Sequence, residues 1–352
     1  MRRFQGCLAV VVLLTASPLL AQSKAKVQNV PEIPYDSTPN ALKLPDNLYL
    51  GEGIAVATNS KGHVYVYTRS AATRLFEFDQ NGTFVKEIGQ DLYGFLFAHA
   101  VRVDKDDNIW AVDEGSNMVI KFDPNGKVLM LIGRRPEAVE GLEAAPPPGT
   151  PPPNAQPYAL GRPTDIGWDP QGNIYISDGY TNSRVVKYDK FGKFIKSVGS
   201  RGAAPGQMNT PHSLQVDAKG NVYVADRGNA RIQVFDSNLT LRAIYDHVGN
   251  PWTLCITPGP HQYLYSSNSY PDSNPAAARD ITGEVYKMEL DGTVIGKFGK
   301  AGKQLKEFST IHGMDCRNEN ELWVSEITAW RAQKIILHPQ QAAKPTTTSA
   351  AR

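Results

Sequence analysis

Apolar and polar residues alternate with a period of two along most of the chain, and the runs are separated by short turns rich in Asp, Gly and Asn. That is the pattern of short antiparallel strands joined by hairpins. The stretch HSLQVDAKGNVYVADRGNARIQVFD, which begins at His212, serves as a template. It recurs as HAVRVDKDDNIWAVDEGSNMVIKFD from His99, as TDIGWDPQGNIYISDGYTNSRVVKYD from Thr164 and as HGMDCRNENELWVSEITAWRAQKII from His312, with weaker copies from Ile54 and Thr253. Each copy holds two runs around a turn of the DxxGN kind and then a third run. A fourth often follows, such as Phe84 to Ile88, Lys127 to Ile132, Phe194 to Val198 or Thr293 to Phe298. Four short strands repeated every roughly 40 to 50 residues predict an all-β fold, a six-bladed β-propeller. The propeller is expected over residues 44–338, after a linker at 22–43, and Leu44 to Leu50 is expected to supply the missing outer strand of the last blade. Closing the ring in this way leaves no free edge.

The repeats also define a common address. The first residue of each copy stands twelve places before the last apolar residue of the second strand, and the series there reads Ile54, His99, Thr164, His212, Thr253, His312. Histidine occupies every second repeat. The first strand of each propeller blade lines the central channel, so alternate blades, about 120° apart, would bring three imidazoles to the axis. Taken singly, a histidine at a channel mouth reads as a wet polar residue. Three in alternating register read as the donor set of a metal site with one open position, the arrangement of catalytic zinc.

In a hairpin the end of the second strand lies beside the start of the first, so the residues just after strand two share the histidines' face. Those residues are Arg69, Glu114, Tyr180, Arg227 and Asn268. Two guanidiniums beside a metal favour an anionic ligand such as a carboxylate held bidentately. A phenol next to a metal and an arginine is expected to fall below its usual value of about 10 and to accept a proton, which marks Tyr180. Taken one at a time, these are also what solvated turn residues look like.

Composition narrows the picture. With 352 residues and a net charge of +2 the chain has no basic field, so no nucleic-acid partner is expected. Residues 1–21 carry two arginines, an apolar run from Cys7 to Leu14 and small residues before a cut after Ala21, the pattern of a secretory signal. No later segment is long enough to span a membrane. The mature protein is therefore expected to be exported, periplasmic or secreted, and a monomer. Cys255 and Cys316 fall on first strands of adjacent blades at addresses two residues apart; a disulfide is open, with two buried thiols as the expected state. Residues 134–163 form a proline-rich insertion between blades two and three, either a lid over the channel or a passive loop, and 339–352 read as a disordered tail.

Two stretches, QPYALGRPTDIGWDPQGNIYISDGYTNSRVVKYDKFGKFI and PGQMNTPHSLQVDAKGNVYVADRGNARIQVF, carry a family resemblance. The strings PTD, SDGYxNSR, PGQ, PHSL and ADRxNxRIQ, taken with the histidine register, resemble the NHL-repeat propellers. Within that group they resemble peptidyl-α-hydroxyglycine α-amidating lyase, over about residues 44 to 338. The resemblance implies that His99, His212 and His312 hold zinc, that Tyr180 is the base, and that Arg69 and Arg227 flank it. It implies a small-molecule or peptide substrate bearing a carboxylate: a carbinolamide, whose N–C bond is cleaved to give an amide and glyoxylate. The chain departs from the family at Thr310, where a methionine would stand, and at Gly313, where the calcium-binding carboxylate would be, so calcium is not expected. Thr181 and Tyr223 replace two of the animal enzymes' disulfide cysteines. The alternatives are a noncatalytic ligand- or protein-binding propeller and, last, a metal-dependent hydrolase.

Overall fold

A computed structural model describes residues 25–27, 29–135, 156–270 and 282–339. The expected signal segment, most of the proline-rich insertion and the C-terminal tail from residue 340 lie outside the described residues. The described strands form six four-stranded antiparallel sheets. The first strands are Glu52–Thr58, Ala98–Val103, Asp165–Trp168, Pro211–Val216, Pro251–Ile256 and Ile311–Asn318. Each packs against the first strand of the next sheet, and that of blade one packs against that of blade six, so the sheets close into a six-bladed ring around a channel. Among the described residues no helix is long and apolar enough to cross a membrane.

The turns explain the strand lengths. In the DxxGN turns one carboxylate oxygen of Asp104, Asp169 or Asp217 accepts the backbone N–H groups two and four residues on. Asn59 does the same with its amide oxygen in blade one. A side chain that mimics a backbone turn in this way fixes the hairpin register. The apolar faces bury between neighbouring blades rather than in one centre. Six clusters fill the six seams; Leu75 with Ile120 and Val112 with Ile176 stand in two of them.

The NSR and RIQ strings turn out to be braces. Arg184 Nε donates to buried Asp178 at 2.8 Å, Arg231 Nε to Asp226 at 2.7 Å, and Arg331 Nε to Glu326 at 2.7 Å. Each ties the start of a third strand to the end of the second.

Two expectations are corrected. The outer strand of blade six is Tyr35–Thr38, paired with Arg331–Leu337 in the register Tyr35↔Leu337 to Thr38↔Lys334. Leu44 and Leu50 instead pack their side chains against the seam between blades one and six, part-buried and outside any strand. Residues expected as a linker are thus built into the ring, and Ile33 is buried in the seam between blades five and six. The second correction is covalent. Cys255 and Cys316 form a disulfide, with Cα atoms 6.0 Å apart. The first strand of blade six shifts register between Asp315 and Asn318, and Cys316 lies within that irregularity. The two-residue offset persists in the pairing, where Cys255 faces Tyr265 and Met314 faces Val324, and the disulfide spans it.

Candidate metal centre

The histidines reach the axis because the strands that carry them are bulged. Pairing steps from Ala98↔Asp113 to Ala100↔Val112, from Pro211↔Asp226 to Ser213↔Ala225, and from Ile311↔Glu326 to Gly313↔Ser325, so His99, His212 and His312 are each skipped. A residue left out of the ladder bends its strand and re-aims its side chain. Here all three turn to one point. Their ring centroids are 4.6, 4.7 and 4.8 Å apart, and one ring nitrogen from each lies within 4.8 Å of the others.

The blades without a histidine fix the tautomer. His99 Nδ1 lies 2.6 Å from the carbonyl oxygen of Thr164, His212 Nδ1 2.7 Å from that of Trp252, and His312 Nδ1 2.9 Å from that of Ile54. A carbonyl only accepts, so each Nδ1 carries the proton and each Nε2 offers its lone pair. Burial holds all three imidazoles well below the usual histidine range. After burial, His312 and Arg69 act on His99, Arg227 and His99 on His212, and Arg69 on His312. Three neutral donors, each oriented by a backbone carbonyl, are what a first-row divalent ion requires, with room for a further ligand. Gly313 offers no carboxylate, and none fits there. A Cβ would come within 2.5 Å of Ser325 Oγ and 2.6 Å of Ala55 Cα.

Tyr180, Arg69 and Arg227 gather at the same mouth. Tyr180 Oη lies 3.1 Å from His212 Nε2 and 3.3 Å from His99 Nε2. Its ring is faced by the guanidiniums of Arg162 at 4.6 Å and Arg227 at 5.3 Å. Without a metal, burial is the largest influence on its pKa and raises the phenol above 10, with Glu114 adding to the rise and Arg227, Arg69 and Arg162 opposing it.

The two arginines are not equivalent. Arg69 donates to Glu52 Oε2 at 2.9 Å and to the Ala98 carbonyl at 3.2 Å, lies 3.9 Å from Glu114, and stacks on Phe97. The backbone carbonyl of Arg227 accepts from the Ala230 N–H at 3.0 Å, while its guanidinium has no hydrogen bond or ion pair among the described residues. Its guanidinium lies between the faces of Trp252, at 4.4 Å, and Tyr180. Among the described residues it is the guanidinium at this mouth without an anionic partner.

Two participants escaped the sequence. Glu114 stood at the right address without a role; it is buried, 3.7 Å from His99 Nε2, and ion-paired to Arg162. Burial raises its carboxyl pKa against the pull of Arg162 and Arg69. Arg162 closes the proline-rich insertion, two residues before the address of blade three, and its N–H donates to Asn117 Oδ1 at 2.8 Å. Position in an approach loop was the available signal. Thr310 turns its hydroxyl to the Tyr270 carbonyl, 2.9 Å away.

Comparisons with known proteins agree with this architecture. The NHL repeat family model matches residues 208–235. Peptidylglycine alpha-amidating monooxygenase of Rattus norvegicus is 31% identical over 270 residues, which cover 71% of this chain and 25% of the relative, so the chain spans about a quarter of that protein's length. A probable peptidyl-alpha-hydroxyglycine alpha-amidating lyase of Caenorhabditis elegans is 24% identical over 314 residues, 82% of this chain and 83% of the relative. The solved structure of a gluconolactonase from Xanthomonas campestris superposes with a TM-score of 0.54 at 16% identity, covering 90% of this chain and 97% of that one, and shows the shared fold alone. The chain is a six-bladed β-propeller with an NHL repeat at residues 208–235, and it resembles the peptidyl-α-hydroxyglycine α-amidating lyases.

Proposed function

We propose that this chain is an exported, zinc-dependent lyase that cleaves the N–C bond of α-hydroxyglycine-type carbinolamides to an amide and glyoxylate. The observation that carries the reading is the triad of oriented Nε2 donors directly beside Tyr180 and the Arg227 guanidinium, which has no anionic partner among the described residues. Zinc at the triad would supply a Lewis-acid charge that acidifies the substrate hydroxyl and offsets the burial that disfavours a Tyr180 phenolate.

The protein's own groups do the rest. Arg227 holds the substrate carboxylate in its planar fork, with Trp252 and Tyr180 fixing the guanidinium plane. Tyr180, as the phenolate, takes the hydroxyl proton on Oη as the C–O bond becomes a carbonyl and the C–N bond breaks. The departing amide nitrogen recovers that proton from the phenol, so the step is balanced without an outside reactant. Arg69, held by Glu52 and Ala98, keeps positive charge next to the phenol without leaving its place. The Cys255–Cys316 disulfide supports export, because such bonds persist in oxidising compartments.

The test is elemental analysis of the purified protein together with glyoxylate release from α-hydroxyhippurate, for wild type and His212→Ala. About one zinc per chain with release, both lost in the variant, is the expected result. Zinc without release would point to another substrate, and neither would leave a binding propeller.

A further inference from the structure

Directly under the histidines the Arg102–Asp165 ion pair spans the channel. Arg102 stands three residues after His99 on the first strand of blade two. Its Nε and Nη2 fork onto Asp165 of blade three at 2.9 and 2.6 Å. Nη1 donates to the Met314 carbonyl of blade six at 3.0 Å, and Nη2 also lies 3.4 Å from the Leu254 carbonyl of blade five. Asp165 in turn accepts from Ser213 Oγ at 2.7 Å and from the Leu214 N–H at 3.0 Å, both on blade four beside His212. Five of the six first strands meet in this network. Ser213 adjoins His212, Met314 is two residues from His312, and Arg102 is three from His99.

The two layers are adjacent. A cavity of about 10 Å³ is lined by His99, His212 and His312 together with Arg102, Asp165 and Met314. Below, Arg102 also lines a cavity of about 920 Å³, walled by turn residues such as Asp169 and Asp217 that join first and second strands at the far mouth. A buried ion pair is weak evidence for stability, since well-packed apolar residues of similar volume often do as well. Its use lies in specificity of geometry. The guanidinium is permanently charged, planar and met by two carboxylate oxygens and two carbonyl oxygens. It occupies the kind of oxygen cage that a hard cation would otherwise take.

We propose that Arg102 and Asp165 are positioning residues for the histidine triad: a cation built into the chain that draws the three histidine-bearing strands to one spacing, in place of a separately bound structural ion. This rests on the reading of the triad as a metal site. Groups that orient metal ligands change affinity by about 10- to 100-fold when removed. The network differs from the Nδ1 contacts in acting on the strands instead of on the rings.

The experiment is titration of the metal-free full chain with Co²⁺, following visible absorption, for wild type, Arg102→Met and Arg102→Lys, with circular dichroism and thermal melting to score the fold. Wild type is expected to give a single tetrahedral-type band. Arg102→Met, folded, is expected to bind about 10- to 100-fold more weakly with a shifted band. Arg102→Lys keeps the charge beside Asp165 but cannot span both carbonyls. It is expected to recover part of the affinity, and it carries the test alone if the methionine variant does not fold. A folded variant with wild-type affinity and spectrum overturns the positioning role and leaves the metal site standing. Absence of Co²⁺ binding by wild type overturns the metal reading and this proposal with it.

Discussion

The hydroxyl of Tyr180 lies 3.1 Å from Nε2 of His212, close enough to donate a hydrogen bond to the lone pair that a metal would take. The phenol thus stands at the edge of the donor set, and in the proposed reaction it moves the proton without binding the metal. Tyr180→Phe should keep the zinc content of wild type while glyoxylate release falls by about 10² to 10⁴, the range for losing a proton-transfer group. Metal analysis and turnover on the same preparation decide it. Loss of zinc in the variant would make Tyr180 a ligand, and unchanged turnover would remove it from the reaction.

Arg227 and Arg69 should separate in their effects. Arg227→Gln breaks no hydrogen bond or ion pair among the described residues, so the melting temperature should hold while KM for a carboxylate substrate rises at least about tenfold. Arg69→Gln leaves Glu52 and buried Glu114 short of a partner, so it should lower stability as well as activity. Steady-state kinetics beside thermal melts reads both. Equal KM in the Arg227 variant would refute its role as carboxylate holder.

The spacing of His99, His212 and His312 in alternate repeats was enough to place them on the axis, because period-two strands and a fixed repeat translate directly into angle. The means by which they arrive there was not legible. A bulge inserts one residue without a compositional mark, so the sequence does not show why His99 is skipped in the ladder. Tyr180 illustrates a different limit. Two of its cationic neighbours could be read from hairpin geometry, whereas its desolvation and the guanidinium of Arg162, which reaches its ring from the end of an insertion, could not. Tyr35–Thr38 escaped for want of pattern: four residues with one aromatic carry little alternation, and only the open edge of blade six calls for them.

That edge makes a third prediction. A chain lacking residues 25–38 loses the ladder with Arg331–Leu337, the burial of Ile33 and the contacts of Tyr35 with Phe298 and Phe308. Ile33 alone accounts for about 2 kcal/mol, and the bared strand is a template for pairing with other chains. The truncated chain should melt at lower temperature and aggregate on size-exclusion chromatography. An unchanged melt with a wild-type elution profile would mean that blade six closes without its outer strand.

The disulfide makes the last. Cys255 and Cys316 are separated by 61 residues and join the first strands of blades five and six. In the chain-entropy account a loop of that length restricts the unfolded state by about 4 kcal/mol. The bond also sits next to the seam that Tyr35–Thr38 completes, so both fasteners of the ring act at blade six. Cys255→Ser with Cys316→Ser should lower the melting temperature by several degrees and denaturant stability by about 4 kcal/mol. Zinc content should be retained, since the histidines rely on Nδ1 contacts to Ile54, Thr164 and Trp252 that do not involve the sulfurs. Chemical denaturation with metal analysis of the folded fraction separates the two effects. If zinc is lost while the fold persists, the disulfide fixes the placement of His312 within a ring that its strands alone can close.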